Sequence, residues 1–170
     1  NVCSKYYQSC NTLFDEIVEF IGFIDLNCCL AKISIENVYC KPEIINSNRS
    51  MFSAKSIRHP IVEKIQTEIE YIPNDITLGE NGMLLYGTNA CGKSTLMKSI
   101  GLTLIMAQAG FFVPCKEFIY SPYTQIFTRI LNNDNIFKRQ SSFAVEMGEL
   151  RGILKRSDNH SLVLGDEVCS

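Results

Sequence analysis

Gly87-Thr88-Asn89-Ala90-Cys91-Gly92-Lys93-Ser94 is a complete G-x-x-x-x-G-K-[ST] sequence, and its reading decides the fold. An apolar run, Met83-Leu84-Leu85-Tyr86, leads into it, and a stretch of helical character, Thr95 to Ala109, leads out. That is the strand–loop–helix setting in which such a loop cradles phosphate. The two glycines let the backbone wrap closely, turning successive N–H groups inward as an anion nest. A helix starting near Lys93 adds the positive end of its dipole at the same point. Lys93 then supplies a compact charge for β- and γ-phosphates, and the Ser94 hydroxyl is placed to ligand Mg²⁺. Thr88, Asn89, Ala90, Cys91 and Thr95 complete the expected phosphate contacts.

A second element lies downstream. Leu162-Val163-Leu164-Gly165-Asp166-Glu167 is an apolar strand ending in two carboxylates, the pattern of a Walker B element. In parallel α/β folds, ligands sit beyond the carboxyl ends of the strands, so Asp166 is expected to face the phosphate loop and share Mg²⁺ with Ser94. Glu167 is the candidate to orient or deprotonate an attacking water.

Composition sets the limits. The 170 residues suffice for one sizeable core, and 46% hydrophobic with 20% charged residues is ordinary for a globular chain. Apolar runs are broken by Lys98, Gln108 or Pro114 before they reach the roughly 18 residues of a membrane span. A net charge of −2 and a pI near 5.7 give no electrostatic reason for this piece to grip nucleic acid unaided. The eight cysteines include no C-x-x-C, and read as reduced, mostly buried thiols of an intracellular protein. The start, Asn-Val-Cys-Ser-Lys, lacks Met and a signal-peptide core, so a segment of something longer is expected.

Along the chain, Leu13, Ile17, Ile21, Ile24, Cys28, Ala31 and Ile35 recur at helical spacing over residues 11–37. Phe14, Val18 and Phe20 widen that stripe, predicting a helix buried on more than one side. Lys41-Pro42 ends it, and a polar stretch at 46–50 marks a boundary. Strands are expected at 52–57, 68–72, 76–78, 83–86, 118–120, 125–130 and 161–165, with Gly79-Glu80-Asn81-Gly82 as a hairpin turn. A further helix is expected at 147–156.

Six blocks in order resemble the ATPase domain of the MutS mismatch-recognition family. They are Arg58-His59-Pro60-Ile61-Val62-Glu63, the phosphate loop continued to Lys98, Gly110-Phe111-Phe112-Val113-Pro114, Ile126-Phe127-Thr128-Arg129-Ile130, Ser141-Ser142-Phe143-Ala144-Val145-Glu146-Met147 and Ser161 to Glu167. The resemblance implies an α/β P-loop fold of ABC type, its mixed or parallel sheet flanked by helices. Residues 1–50 would be a connector helical segment, and 51–170 an ABC-type ATPase domain incomplete at its C-terminus. It also implies ATP and Mg²⁺ as cofactors, with Glu167 and Lys93 in hydrolysis. Ser141 of one subunit would approach the γ-phosphate bound by the other, within a homodimer or a pair of related subunits. Tyr71 falls where the family stacks an aromatic on adenine, with Ile72 beside it, its plain alternative being a strand residue that packs on a neighbour. Phe127-Thr128-Arg129 lies where ABC folds keep a nucleotide-sensing loop, its plain alternative being a buried strand with a surface Arg. His59 reads as a turn residue without chemistry. Mismatched or branched DNA would be gripped by regions outside this segment.

Cys91 departs from the family's usual glycine and is expected to tighten or crowd the loop. Gly165 replaces a larger apolar residue. The strands, switch histidine and dimerisation helices that the family carries after the acidic pair are not in these 170 residues. Two other readings stand beside this one. A helicase-like ATPase fits Asp166-Glu167-Val168-Cys169 but not the 141–147 block. A nucleotide-gated dimerisation module would bind ATP with little turnover.

Overall fold

The computed structural model describes residues 2–65, 68, 70–88, 91–129 and 142–166. Two compact units divide at residue 38. The first is a single helix, α1 (Val2–Glu36), longer than the periodicity predicts. It ends where Val38 takes a left-handed φ of 53°, a conformation that a β-branched residue adopts only under constraint. The expectation of burial on several sides is not met: Leu13, Phe14, Ile17, Ile21 and Ile24 are all exposed. Their apolar faces lack a covering element among the described residues.

The second unit is mixed α/β. Its elements follow in the order β1 (Glu43–Ile44), β2 (Phe52–Ile57), α2 (Val62–Ile65), β3 (Asn74–Leu78), α3 (Lys93–Gln108), β4 (Glu117–Tyr120), β5 (Gln125–Arg129), α4 (Ser142–Arg156) and β6 (Ser161–Gly165). Four strands form a mixed sheet in the order β1-β4-β2-β3, with β1 parallel to β4 and β2 antiparallel to both of its neighbours. β5 and β6 form a separate parallel pair in register from Gln125–Ser161 to Arg129–Gly165.

Sequence alternation explains β2: Phe52, Ala54 and Ile57 turn inward, and the register shifts between the last two at a bulge. Ser56 carries that bulge at φ 51°, and its freed N–H donates to Asp75 Oδ1 at 2.7 Å. Phe52 and Phe118 rings stack at 5.8 Å, and Phe118 meets Tyr120 at 5.5 Å. Against these aromatics packs α3, burying Met97, Ile100, Leu104 and Ala107; Leu162 and Leu164 of β6 join the same core. Helix α3 stops in a Schellman motif: Gly110 sits at φ 83°, its N–H bonds Ala107 O, and Phe111 N–H bonds Met106 O.

The expected mixed sheet forms, accompanied among the described residues by the separate parallel pair, but two expected strands do not form. Met83–Tyr86 is extended but unpaired, with Leu84 86% and Tyr86 90% exposed, so Gly79–Gly82 turns without making a hairpin. An apolar run becomes a strand only where a ladder partner exists, and no described strand hydrogen-bonds to it. Residues 70–73 are irregular rather than a strand, Pro73 lacking the N–H that a ladder needs.

Candidate functional site

The loop closes onto α3 through Gly92, whose φ of 94° is in the left-handed region that glycine reaches without a Cβ penalty. Leu96 N–H bonds back to Gly92 O at 2.9 Å, starting the helix at Lys93. The Lys93 ammonium folds over the loop and donates to Gly87 O and Thr88 O, each at 2.8 Å. An ammonium has three donors, so one stays available to an incoming anion. Gly87 and Cys91 approach closely: a Cβ at Gly87 would come within 3.0 Å of the Cys91 sulfur. The expected crowding by Cys91 therefore has a physical counterpart, a thiol resting against the first glycine.

Asp166 ends β6. Its N–H donates to Arg129 O at 2.8 Å, which extends the β5–β6 ladder to the carboxylate. An open cleft of about 640 Å³ lies between α3 and β6, lined by Lys93, Met97, Ile100, Leu162, Leu164 and Asp166, with the 83–85 segment along one wall. The lysine and the carboxylate thus border one space, which they share with apolar side chains and with Arg49, Glu80 and Asp158. Ser94, half-buried, follows Lys93 in the first turn of α3. A hydroxyl and one carboxylate beside this glycine-bounded loop are oxygen donors of the kind Mg²⁺ accepts, since it keeps several waters and needs few protein ligands. No group of three or more His, Cys, Asp or Glu that could hold a metal occurs among the described residues.

Tyr71 lies beside a different face of α3, its hydroxyl 3.3 Å from Ser99 Oγ; Ile72 next to it is 79% exposed. Thr95 stands in the first turn of α3, where its carbonyl accepts the Ser99 hydroxyl. Asn89, Ala90, Ser141 and Glu167 fall outside the described residues, as does the 131–141 stretch.

Two groupings escaped the sequence reading. Arg58 and Glu63 pair at 3.2 Å with both side chains largely shielded, and Arg58 lies over the Tyr39 ring at 5.7 Å. Burial, with the Glu63 charge second, pushes the Tyr39 phenol up to about 12. His59 is buried, and its Nδ1 accepts the N–H groups of Ile61 and Val62, both at 3.2 Å, capping α2. Burial, then the charge of Lys98, lowers its pKa. It is more than a turn residue: it fixes the turn. Arg129, read alternatively as a surface arginine, is instead shielded to 9% exposure and pairs with Glu149 of α4 at 3.4 Å. The spacing of Arg58 to Glu63 was the available signal for the first group. Nothing local announced the second. The cysteines also correct the reading: among those described, Cys115 is buried, but Cys28, Cys29 and Cys91 are exposed free thiols.

Residues 83–170, from the lead-in of the phosphate loop to beyond Asp166, match the family described as MutS domain V. The chain belongs to the MutS family. It is 39% identical to a mutS homolog of Acanthamoeba polyphaga mimivirus, over 96% of this chain and 18% of that protein. Identity is 37% to a mitochondrial DNA mismatch repair protein mutS homolog of Sarcophyton glaucum, over 97% of this chain and 17% of the relative. With the DNA mismatch repair protein MutS of Clostridium kluyveri it is 43%, over 92% and 18%. The chain thus spans less than a fifth of the length of these MutS relatives. No helix among the described residues of this MutS-family chain is long and apolar enough to cross a membrane.

Proposed function

We propose that this chain is the ATP-binding and hydrolysing module of a MutS-like DNA mismatch repair protein, built on an ABC-type P-loop fold. The observation that carries the reading is the shared cleft, with Lys93 at the start of α3 and Asp166 at the end of β6. Lys93 releases one or both loop carbonyls to meet the β- and γ-phosphates, and loop N–H groups from Gly87 to Thr95 receive the rest of the chain's charge. Ser94 and Asp166 hold Mg²⁺, which when bound neutralises charge on the phosphate oxygens. Glu167 orients the attacking water as general base, and Ser141 of a partner subunit approaches the γ-phosphate from across a dimer interface. Tyr71 and Ile72 take the adenine.

Nucleotide binding in this scheme favours a closed dimer, and hydrolysis releases it. Differential affinity for the two states is what moves DNA-clamping arms supplied by the rest of the polypeptide. DNA binding is assigned to those regions because this chain's net charge is −2. A reducing intracellular compartment suits the free thiols.

Glu167→Gln in the full-length protein tests the core of the proposal. ATP binding is expected to persist while single-turnover hydrolysis falls by roughly 100-fold or more, the usual scale of general-base removal. Near-normal turnover would remove Glu167 from its role. Loss of neither binding nor hydrolysis on Lys93→Ala would remove the site as a whole.

A further inference from the structure

Among the described residues, few contacts are seen to hold the segment bearing Tyr71. Residues 70–73 are irregular, Ile72 beside the tyrosine is 79% exposed, and the described contact to the following residues is a local one, Asn74 Nδ2 to Ile72 O at 3.1 Å. Against this, the far end of the Tyr71 side chain meets a fixed point. Ser99 has no exposed surface, and its hydroxyl lies 3.3 Å from the Tyr71 hydroxyl.

Proton bookkeeping gives the bond a direction. Ser99 Oγ also lies 2.8 Å from Thr95 O, a carbonyl that can only accept, so the single serine proton is committed there. The tyrosine must therefore donate to Ser99. A relay results: Tyr71 O–H to Ser99 Oγ, and Ser99 O–H to Thr95 O, in the turn of α3 that also carries Lys93 and Ser94. Ser99 stands about 100° round the helix from Ile100, which lines the Lys93–Asp166 cleft, so the relay serves another face of the same helix.

We infer that Ser99 is a positioning residue, setting the place of the Tyr71 ring relative to the phosphate loop and thereby the affinity for the base half of the nucleotide. The inference rests on the nucleotide-binding reading above and adds to it a residue with no contact to phosphate. Its consequence is a division of labour. The loop holds the phosphates whether or not the relay is intact. The aromatic platform contributes only when its hydroxyl is tethered, because an untethered ring on an irregular segment must be ordered at the moment of binding.

The experiment compares Mg-ATP with Mg-tripolyphosphate, which lacks the nucleoside, by calorimetry on the full-length protein. Ser99→Ala, Tyr71→Phe, the double variant and Lys93→Ala are measured beside the wild type. Ser99→Ala and Tyr71→Phe are each expected to weaken Mg-ATP by roughly 3- to 10-fold, the scale of one net hydrogen bond, and to leave tripolyphosphate unchanged. The double variant is expected to lose no more than either single, since all three break the same bond. Equal weakening of both ligands by Ser99→Ala would mark a packing defect and overturn the inference. So would unchanged Mg-ATP affinity in both single variants, or additive losses in the double. Lys93→Ala separates the two levels: if it weakens neither ligand, the nucleotide reading itself fails, whereas weakening of both with silent Ser99 and Tyr71 variants sinks the relay alone.

Discussion

Gly101→Ala probes the contact that fixes the phosphate-loop helix against the strand ending in Asp166. Gly101 is buried within α3, and a Cβ there would lie 2.9 Å from Leu164 Cδ1, inside ordinary van der Waals separation. Two effects oppose each other. Alanine favours the helix over glycine by about 1 kcal/mol, while overpacking a filled core costs about 1–3 kcal/mol. The leucine tip has some freedom to turn, so the net expectation is a loss of about 0–2 kcal/mol. Gly148 supplies the internal reference: it is exposed on α4 with nothing within 4 Å of a built Cβ. Gly148→Ala should therefore show the propensity gain alone, and Gly101→Ala should fall below it by about 1–3 kcal/mol. Urea unfolding of the two variants, followed by far-ultraviolet circular dichroism, measures that difference. Shortening Leu164 to Ala in the Gly101→Ala background should recover the overlap part of the loss, giving a coupling a distant pair would not show. Because Lys93 lies on the same helix and Asp166 shortly after Leu164, Gly101→Ala should also raise the Kd for Mg-ATP. Equal stabilisation by both glycine replacements would refute the claim that α3 and β6 are held by this close approach.

Leu104→Ala, at a side chain with no exposed surface, should cost about 3–5 kcal/mol in the same unfolding assay. Lys93→Ala should weaken Mg-ATP by at least ~10-fold, the lower end for a charged hydrogen-bond donor, measured by equilibrium binding. Glu63→Gln deprives the shielded Arg58 of its counter-charge and the Tyr39 hydroxyl of its acceptor carboxylate, and should cost about 1–3 kcal/mol. Adding Arg58→Met should restore part of that. Stability should also fall as pH drops below 6.5, the ordinary value from which His59 is lowered. Above it the ring is neutral in both states; below it the unfolded chain takes the proton first, until the folded ring also protonates and loses its two accepted N–H bonds. His59→Asn should flatten that slope in unfolding curves taken at about pH 7.5 and 5.5.

How legible each part was in the sequence follows from where its partners lie. The start and extent of α3 are local: a glycine at φ 94° precedes a helix-forming run, and the helix expected from near Lys93 to Ala109 runs over Lys93–Gln108. β2 and β6 were legible as strands from their short apolar runs, but not in which residues turn inward: Val163 is as apolar as Leu162 and Leu164 yet half exposed, and Ile57 reaches the core through the bulge. Met83–Tyr86 was not, since pairing depends on a neighbour that apolar composition cannot reveal. The same holds for α1, whose periodicity fixes the helix but not what covers it.

The site divides along the same line. Lys93 and Asp166 could be singled out because each sits beside a locally coded element, and the structure places both on the lining of one cleft, with β6 paired in parallel to β5. Arg129 was missed as a shielded ion-pair partner because Glu149 lies on α4, beyond any local pattern. That pair bears on the mechanism proposed above. Arg129 gives its carbonyl to the N–H of Asp166 and its guanidinium to the helix that follows Ser141. One residue therefore touches both the strand end proposed to hold Mg²⁺ and the helix proposed to report to a partner subunit. If that link transmits the nucleotide state, Glu149→Gln should leave Mg-ATP affinity near wild type while weakening ATP-dependent dimer closure in the full-length protein. Sedimentation velocity with and without ATP measures the closure. Unaltered dimerisation would make the pair a packing contact alone.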